Sequence, residues 1–199
     1  MPSSPEHQRI APLEPPYEQH VAEALAKWMP PGADTEPLRL FRTLNVHAEL
    51  ASRMRPLGAG ILGASAAVPA RLREIVIHRT CALTGARYEW GVHAAAFGRA
   101  VGFSDAQLYS TVHGSARDEC WDAEQASVFA LAEQLHRTST IDEELWRELA
   151  ERFDQRQLLE LIVTAGWYHV IGYVCNGAGV QLEDWASPLP EAGPARAAP

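Results

Sequence analysis

The stretch that decides the fold runs from Leu72 to Leu108: LREIVIHRTCALTGARYEWGVHAAAFGRAVGFSDAQL. Residues 72–83 are largely apolar and show no period-two alternation, which predicts a buried helix rather than a strand. Pro69 suits that helix's first turn, so the helix is expected from Pro69 to about Leu83. Gly85 then supplies a turn. A second helix is expected from Tyr88 to Val101, closed by Gly102. Ser104-Asp-Ala-Gln107 has the form of a capping box and opens a short helix to about Val112. The stretch therefore reads as a tight helical hairpin followed by a third helix.

The same signals repeat on both sides. Tyr17–Met29 carries Val21, Leu25 and Trp28 at helical spacing and ends at Pro30-Pro31-Gly32. Leu38–Met54 follows, with Leu40, Phe41, Leu44 and Leu50 toward the core. Asp122-Ala-Glu-Gln125 opens a helix to about His136, Thr140-Ile-Asp-Glu143 one to about Phe153, and Asp154-Gln-Arg-Gln157 the longest, to about Ala178. This last helix is apolar nearly all round (Leu158, Leu159, Leu161, Ile162, Val163, Trp167, Val170, Ile171), so it belongs in the core or at a subunit interface. The expected architecture is an all-α bundle with two central, nearly apolar helical hairpins.

At 199 residues the chain is long enough for one domain, and 47% apolar residues with six Trp, five Tyr and five Phe can fill its core. A net charge of −8 argues against nucleic-acid binding, because phosphates would go unneutralised. Neither a secretory signal nor a membrane span is expected, since no continuous apolar run approaches the roughly 18–20 residues a span needs. Cys81, Cys120 and Cys175 are scattered and form no C-x-x-C, which excludes a disulfide framework, a zinc ribbon and thioredoxin-type chemistry, and points to a reducing, cytoplasmic home. Residues 1–16, with five prolines, read as an irregular arm. Residues 17–186 read as a single all-α domain, and residues 187–199 as a flexible Pro/Ala-rich tail.

Chemistry is expected where polar groups sit in apolar helices. Glu74 lies among Leu72, Ile75, Val76 and Ile77. Glu89 and His93, four apart, share a helix face. The hairpin can bring all three together, and two carboxylates with an imidazole in an apolar pocket are suited to general acid/base work. Tyr88, Trp90, Tyr168 and His169 are the expected substrate-binding residues. His78, four residues after Glu74, raises a metal reading with Glu89 and His93, but the spacing fits no standard zinc pattern and no metal is expected. His47, His113 and His136 read as helix-end or surface residues, and Cys175 as an inert core thiol.

The Leu72–Leu108 stretch resembles the core of the carboxymuconolactone decarboxylase family, which includes alkylhydroperoxidase D-like proteins. LIVTAGWYHVIGYVCNGAGVQLE resembles that family's closing helix, and the likeness spans roughly Leu38 to Asp184. It implies an alkylhydroperoxidase D-like bundle assembled as trimers or hexamers. The peroxidase branch carries Glu, eleven residues, Cys, two residues, Cys, three residues, His; counting from Glu74 gives Ala86, Glu89 and His93. Glu and His are kept and both cysteines are gone, so dithiol peroxidase chemistry does not carry over. The decarboxylase branch implies a reaction without thiol or cofactor: His93 as proton donor, Glu89 as orienter or base, and Glu74 holding the imidazole tautomer. A dianionic substrate beside two carboxylates needs cations, which Arg42, Arg73, Arg79, Arg87 or Arg99 would have to supply. The expectation is therefore a lyase or isomerase acting on an uncharged or monoanionic lactone, keto or aromatic-derived compound. The alternatives are an alkylhydroperoxidase-like antioxidant and a non-catalytic small-molecule-binding protein. A homo-oligomer is expected in each case, because two apolar hairpins expose more surface than one small bundle covers.

Overall fold

The computed structural model describes residues 8–30 and 32–192. Among these residues all regular structure is helical: α1 (Gln19–Ala26), α2 (Arg39–Leu44), a 3-10 turn (Asn45–His47), α3 (Ala48–Leu62), α4 (Ala70–Leu83), α5 (Arg87–His93) with a π turn (Ala94–Gly98), α6 (Asp105–His113), α7 (Ala123–Thr138), α8 (Glu143–Ala150) and α9 (Gln155–Ala178). Residues 1–7 and 193–199, the outer parts of the expected arm and tail, and Pro31 lie outside the described residues.

Helix α4 is the axis of the bundle. One side packs with α2, α3, α5 and the C-terminal half of α9 around Ile77, Cys81, Trp90 and Tyr168. The other packs with α6–α8 and the N-terminal half of α9 around Ile75, Val76, Phe129 and Leu161. The two apolar layers meet over Glu74 and His78, which is why both side chains are cut off from water.

Local chemistry sets the helix starts. Ser104 and Gln107 form a complete capping box at α6, and Asp154 and Gln157 form another at α9. Asp122 accepts from the Gln125 N–H at the start of α7. The start of α8 differs from expectation: Asp142, not Thr140, is the cap, accepting from the Leu145 N–H. The helix expected over 38–54 is two helices joined by a 3-10 turn, and α3 continues through Pro56 to Leu62. Pro56 removes one N–H, but its neighbourhood on α3 faces solvent, so water can satisfy the freed carbonyl.

Two further expectations need correction. The second central hairpin is a single long helix, α9, crossing α4. It is buried on one side only: Leu159 is 63% exposed and Tyr173 65%, with Val163 and Val170 on the same outer stripe. By length and composition α9 would also be long enough to cross a bilayer, although half of its apolar window is buried against the bundle. Gly172 sets how closely α9 approaches the α4–α5 turn, because a Cβ there would lie 2.8 Å from Thr84 Oγ1. The Asn176 amide donates to the Thr84 carbonyl and locks that contact at 2.8 Å.

Both irregular ends are tethered to the bundle. Arg9 and Ile10 N–H groups donate to the Ala178 carbonyl, and Leu13 N–H to that of Arg42. Ser187 N–H donates to the Gly91 carbonyl, and Leu189 packs on the core.

Candidate active site

Glu74 on α4 and His93 at the end of α5 meet across the hairpin. His93 Nδ1–H donates to Glu74 Oε2 at 2.9 Å. That bond aims the other ring nitrogen outward: His93 Nε2 lies 3.1 Å from the Tyr168 hydroxyl of α9 and 3.4 Å from Glu89 Oε1. Glu74, Glu89, His93 and Tyr168 are all buried. Glu74 Oε1 and Glu89 Oε2 have no hydrogen-bond partner. A buried carboxylate oxygen without a partner is costly unless something else satisfies it, so Glu89 Oε2 is available to a ligand.

The electrostatics make this an ion pair. Burial alone would strip His93 of its proton. The Glu74 charge and hydrogen bond, with Glu89 adding to them, outweigh burial and raise its pKa to about 10. Burial likewise pushes Glu74 up, and His93, His78 and Arg73 together bring it below the ordinary carboxylate value. His93 is thus an imidazolium at neutral pH, and Glu74 its counter-ion. Burial, together with the Glu89 and Glu74 charges, drives Tyr168 well above the normal phenol value, so it stays protonated.

These groups form one wall of a cavity of about 640 Å³. Glu89, Val92, His93, Ala96 and Phe97 supply one side, and Trp167, Tyr168 and Ile171 another. Trp28, Phe41 and Trp185 add aromatic walls, while Lys27, Glu36 and Arg55 bring charge. Glu74 is not among the lining residues; it positions His93 from behind.

The other expected binding residues point elsewhere. Tyr88 is a structural strut, donating to Glu183 Oε1 at 2.6 Å and accepting from the Leu40 N–H. Trp90 donates to Thr111 Oγ1 at 3.0 Å, inside the core. His169 sits on the other side of α9, where its Nδ1–H donates to the Ala165 carbonyl and its Nε2 lies 3.0 Å from His136 Nδ1. The reason is helical geometry: successive residues are about 100° apart, so Tyr88 and Trp90 on either side of Glu89, and His169 after Tyr168, face away from the cavity that Glu89 and Tyr168 share. The expected cations also miss it. Arg42 binds Glu14, Arg79 binds Glu133, Arg73 reaches toward the Val68 carbonyl, and Arg87 and Arg99 are exposed. Lys27 and Arg55 reach the cavity instead. The local sequence signal for Arg55 is Gly58 and Ala59 after it on one face of α3, small side chains that leave room beside a cation.

His78 is the fifth polar group here. Its Nδ1–H donates to the Glu74 carbonyl at 2.7 Å, and its Nε2 is unpartnered. Burial dominates and lowers its pKa to about 4, so it is neutral. Among the described residues no group of three His, Cys, Asp or Glu is arranged to hold a metal ion. Cys81 and Cys175 are buried, burial pushes both thiols well up, and neither lines the cavity.

Residues 48–134 match the carboxymuconolactone decarboxylase family. That span holds Glu74, His78, Glu89, His93 and the cavity face of α3. No curated protein matches the chain in sequence. Among solved structures, an uncharacterized peroxidase-related protein from Silicibacter sp. TM1040 aligns with a TM-score of 0.74 at 14% identity, covering 90% of this chain and 95% of that one. The debrominase Bmp8 aligns with a TM-score of 0.71 at 13% identity, covering 88% and 92%. A putative antioxidant defence protein AhpD from Agrobacterium tumefaciens aligns with a TM-score of 0.64 at 10% identity, covering 70% and 94%. At such identities the likeness establishes the fold, the all-α AhpD-like bundle shared by carboxymuconolactone decarboxylase proteins.

Proposed function

We propose that the chain is an acid/base enzyme, a lyase or isomerase, acting at carbon next to a carbonyl in a lactone, keto or aromatic-derived compound. The observation that carries this reading is the pairing, on one cavity wall, of a carboxylate with a free oxygen (Glu89) and an imidazolium locked from behind (His93–Glu74). Glu89 Oε2 takes the proton from the carbon. The C–H pair moves into a new C=C bond and the carbonyl π pair onto oxygen. His93 Nε2–H and the Tyr168 hydroxyl donate to that enolate oxygen as its charge develops. Returning the proton to another carbon completes an isomerisation. Where the carbon carries a carboxylate instead, CO₂ leaves and the enolate is protonated. A carboxylate held beside Glu89 would be repelled, which favours simple proton transfer over decarboxylation. The step uses only this chain's own side chains.

The resemblance to peroxidase-related proteins supports the antioxidant alternative less well, because Ala86 and Glu89 occupy the cysteine positions and the remaining buried thiols are poor nucleophiles. Bmp8 was crystallised, as a Cys-to-Ala variant, with 2,3,4-tribromopyrrole. An aromatic ring is a suitable guest for the aromatic-walled cavity here as well. A homo-oligomer is also proposed, supported by the exposed Leu159–Val163–Val170–Tyr173 stripe of α9.

The test is solvent-deuterium incorporation, followed by proton NMR, into a panel of enolisable lactones and cyclic ketones. The protein is expected to exchange the α-proton of at least one compound, and Glu89→Gln to slow that exchange by roughly 10²–10⁴-fold. No exchange with any compound, or exchange unchanged in Glu89→Gln, would contradict the reading and leave a binding protein as the better account.

A further inference from the structure

The cavity lining is graded in exposure. Its inner part is buried: Glu89, His93 and Tyr168. Its outer part reaches solvent, with Lys27 exposed, Arg55 half-buried and Trp185 53% exposed. Among the described residues, neither Lys27 nor Arg55 has an ion pair or a hydrogen-bonded side-chain partner. Arg39, Arg42, Arg53, Arg79 and Arg152, by contrast, all hold carboxylates. Glu36, the other carboxylate in the lining besides Glu89, accepts from the Tyr17 hydroxyl and lies 4.0 Å from Arg42 Nε. The outer part of the lining therefore holds two cations against one carboxylate, and the inner part holds the Glu89 carboxylate. The same lining includes Trp28, Phe41, Phe97 and Trp167. A volume of about 640 Å³ lies within the range of pockets that enclose drug-sized ligands, and exceeds what a single small ring fills.

Resting on the proton-transfer reading of the same site, we propose that its substrate is an extended aromatic or polycyclic monoanion. Its anionic group sits on Arg55 and Lys27 at the outer end, and its reacting carbon lies against Glu89 and His93 at the inner end. A half-buried guanidinium forks onto a carboxylate or sulfonate with two parallel bonds, and the ammonium adds a point charge. The Glu89 charge rejects the reverse orientation, so the two ends together fix which part of the molecule reacts.

The experiment measures quenching of tryptophan emission by 1-pyrenebutyrate, its uncharged methyl ester and 1-pyrenebutylamine. The acid is expected to bind about tenfold more tightly than the ester, and the amine more weakly than either. Arg55→Gln should remove most of the acid's advantage and leave ester binding unchanged, which also shows that the variant is folded. Lys27→Gln should remove a smaller part, and added salt should weaken the acid alone. Equal affinity for all three probes, no binding of any, or an anion preference abolished by His93→Gln but untouched by Arg55→Gln would each overturn the proposal. Deuterium exchange keeps the two readings apart. Exchange without anion preference overturns the anchor alone, whereas anion preference without exchange overturns the proton-transfer reading.

Discussion

His93 and His78 are both buried, their rings are 6.1 Å apart, and both touch Glu74, yet one is charged and the other neutral. His93 has the Glu74 carboxylate at 2.9 Å, Glu89 at 3.4 Å, and a ring edge on the cavity. His78 spends its donor on a backbone carbonyl, lies 3.4 Å from the same carboxylate, and is boxed in by Trp90 and Phe103. Burial acts on both in the same direction. A second carboxylate and a direct ion-pair bond are what separate an imidazolium from a neutral core histidine, so pairing, more than burial, makes the functional group here.

The largest effect that breaks this comparison is loss of the positioning carboxylate. Glu74→Gln leaves the cavity lining intact but removes the counter-ion, so His93 should lose its proton near or below neutrality. Proton exchange should fall roughly 100-fold or more at pH 8. The alkaline limb of the pH–rate profile, expected near pH 10 in the parent protein from the raised His93 pKa, should move down by several units. A variant whose rate falls with an unmoved limb would show that Glu74 only supports the fold.

The acid side of the stability curve comes next. His78 binds its proton more weakly in the folded protein (about 4) than in the unfolded chain (6.5), so the unfolded state takes up the proton first. Stability should therefore fall as pH drops from 6.5 toward 4, and the lowered Glu74 pKa adds to that loss as pH falls further. His93 runs the other way: its raised pKa contributes stability fully below 6.5, and this is lost as pH rises through about 10. In His78→Leu, urea unfolding at pH 5 and pH 7 should give midpoints closer together than in the parent. An unchanged gap would assign the acid loss to other groups.

The smallest effect concerns the two faces of α9. Gly166→Ala meets open space and removes backbone freedom from the unfolded chain, so about 0.5–1 kcal/mol of stabilisation is expected on the outer face. Gly172→Ala drives a methyl group against Thr84 and should cost stability, as thermal unfolding would show. Destabilisation by Gly166→Ala that grows with protein concentration would instead mark the outer face as a packed subunit interface.

Local chemistry explains what could be read from the sequence. Ser104–Gln107 and Asp154–Gln157 are legible because a capping side chain bonds to backbone three residues away. Glu74, Glu89 and His93 stand out because they are polar groups in apolar helices. Spacings of three, four, seven and eight residues from Glu89 find the rest of the α5 wall, Val92, His93, Ala96 and Phe97, whereas the adjacent Tyr88 and Trp90 point into the core. Lys27, Arg55 and Trp185 reach the same cavity from three separated segments, and no short-range pattern links them. The same limit hid the outer stripe of α9, since uniform apolarity does not say which side meets the bundle.

One histidine, His93, is held charged and its neighbour, His78, neutral beside a shared carboxylate. The most direct measurement is a nitrogen-15 NMR titration of the histidine rings from pH 4 to pH 10.5, with signals assigned through His93→Gln and His78→Leu. His93 should keep both ring nitrogens protonated from neutrality to above pH 9, while His78 should stay neutral down to about pH 4. Titration of both rings near 6.5, or a neutral His93 at pH 7, would show that the shared carboxylate does not separate them.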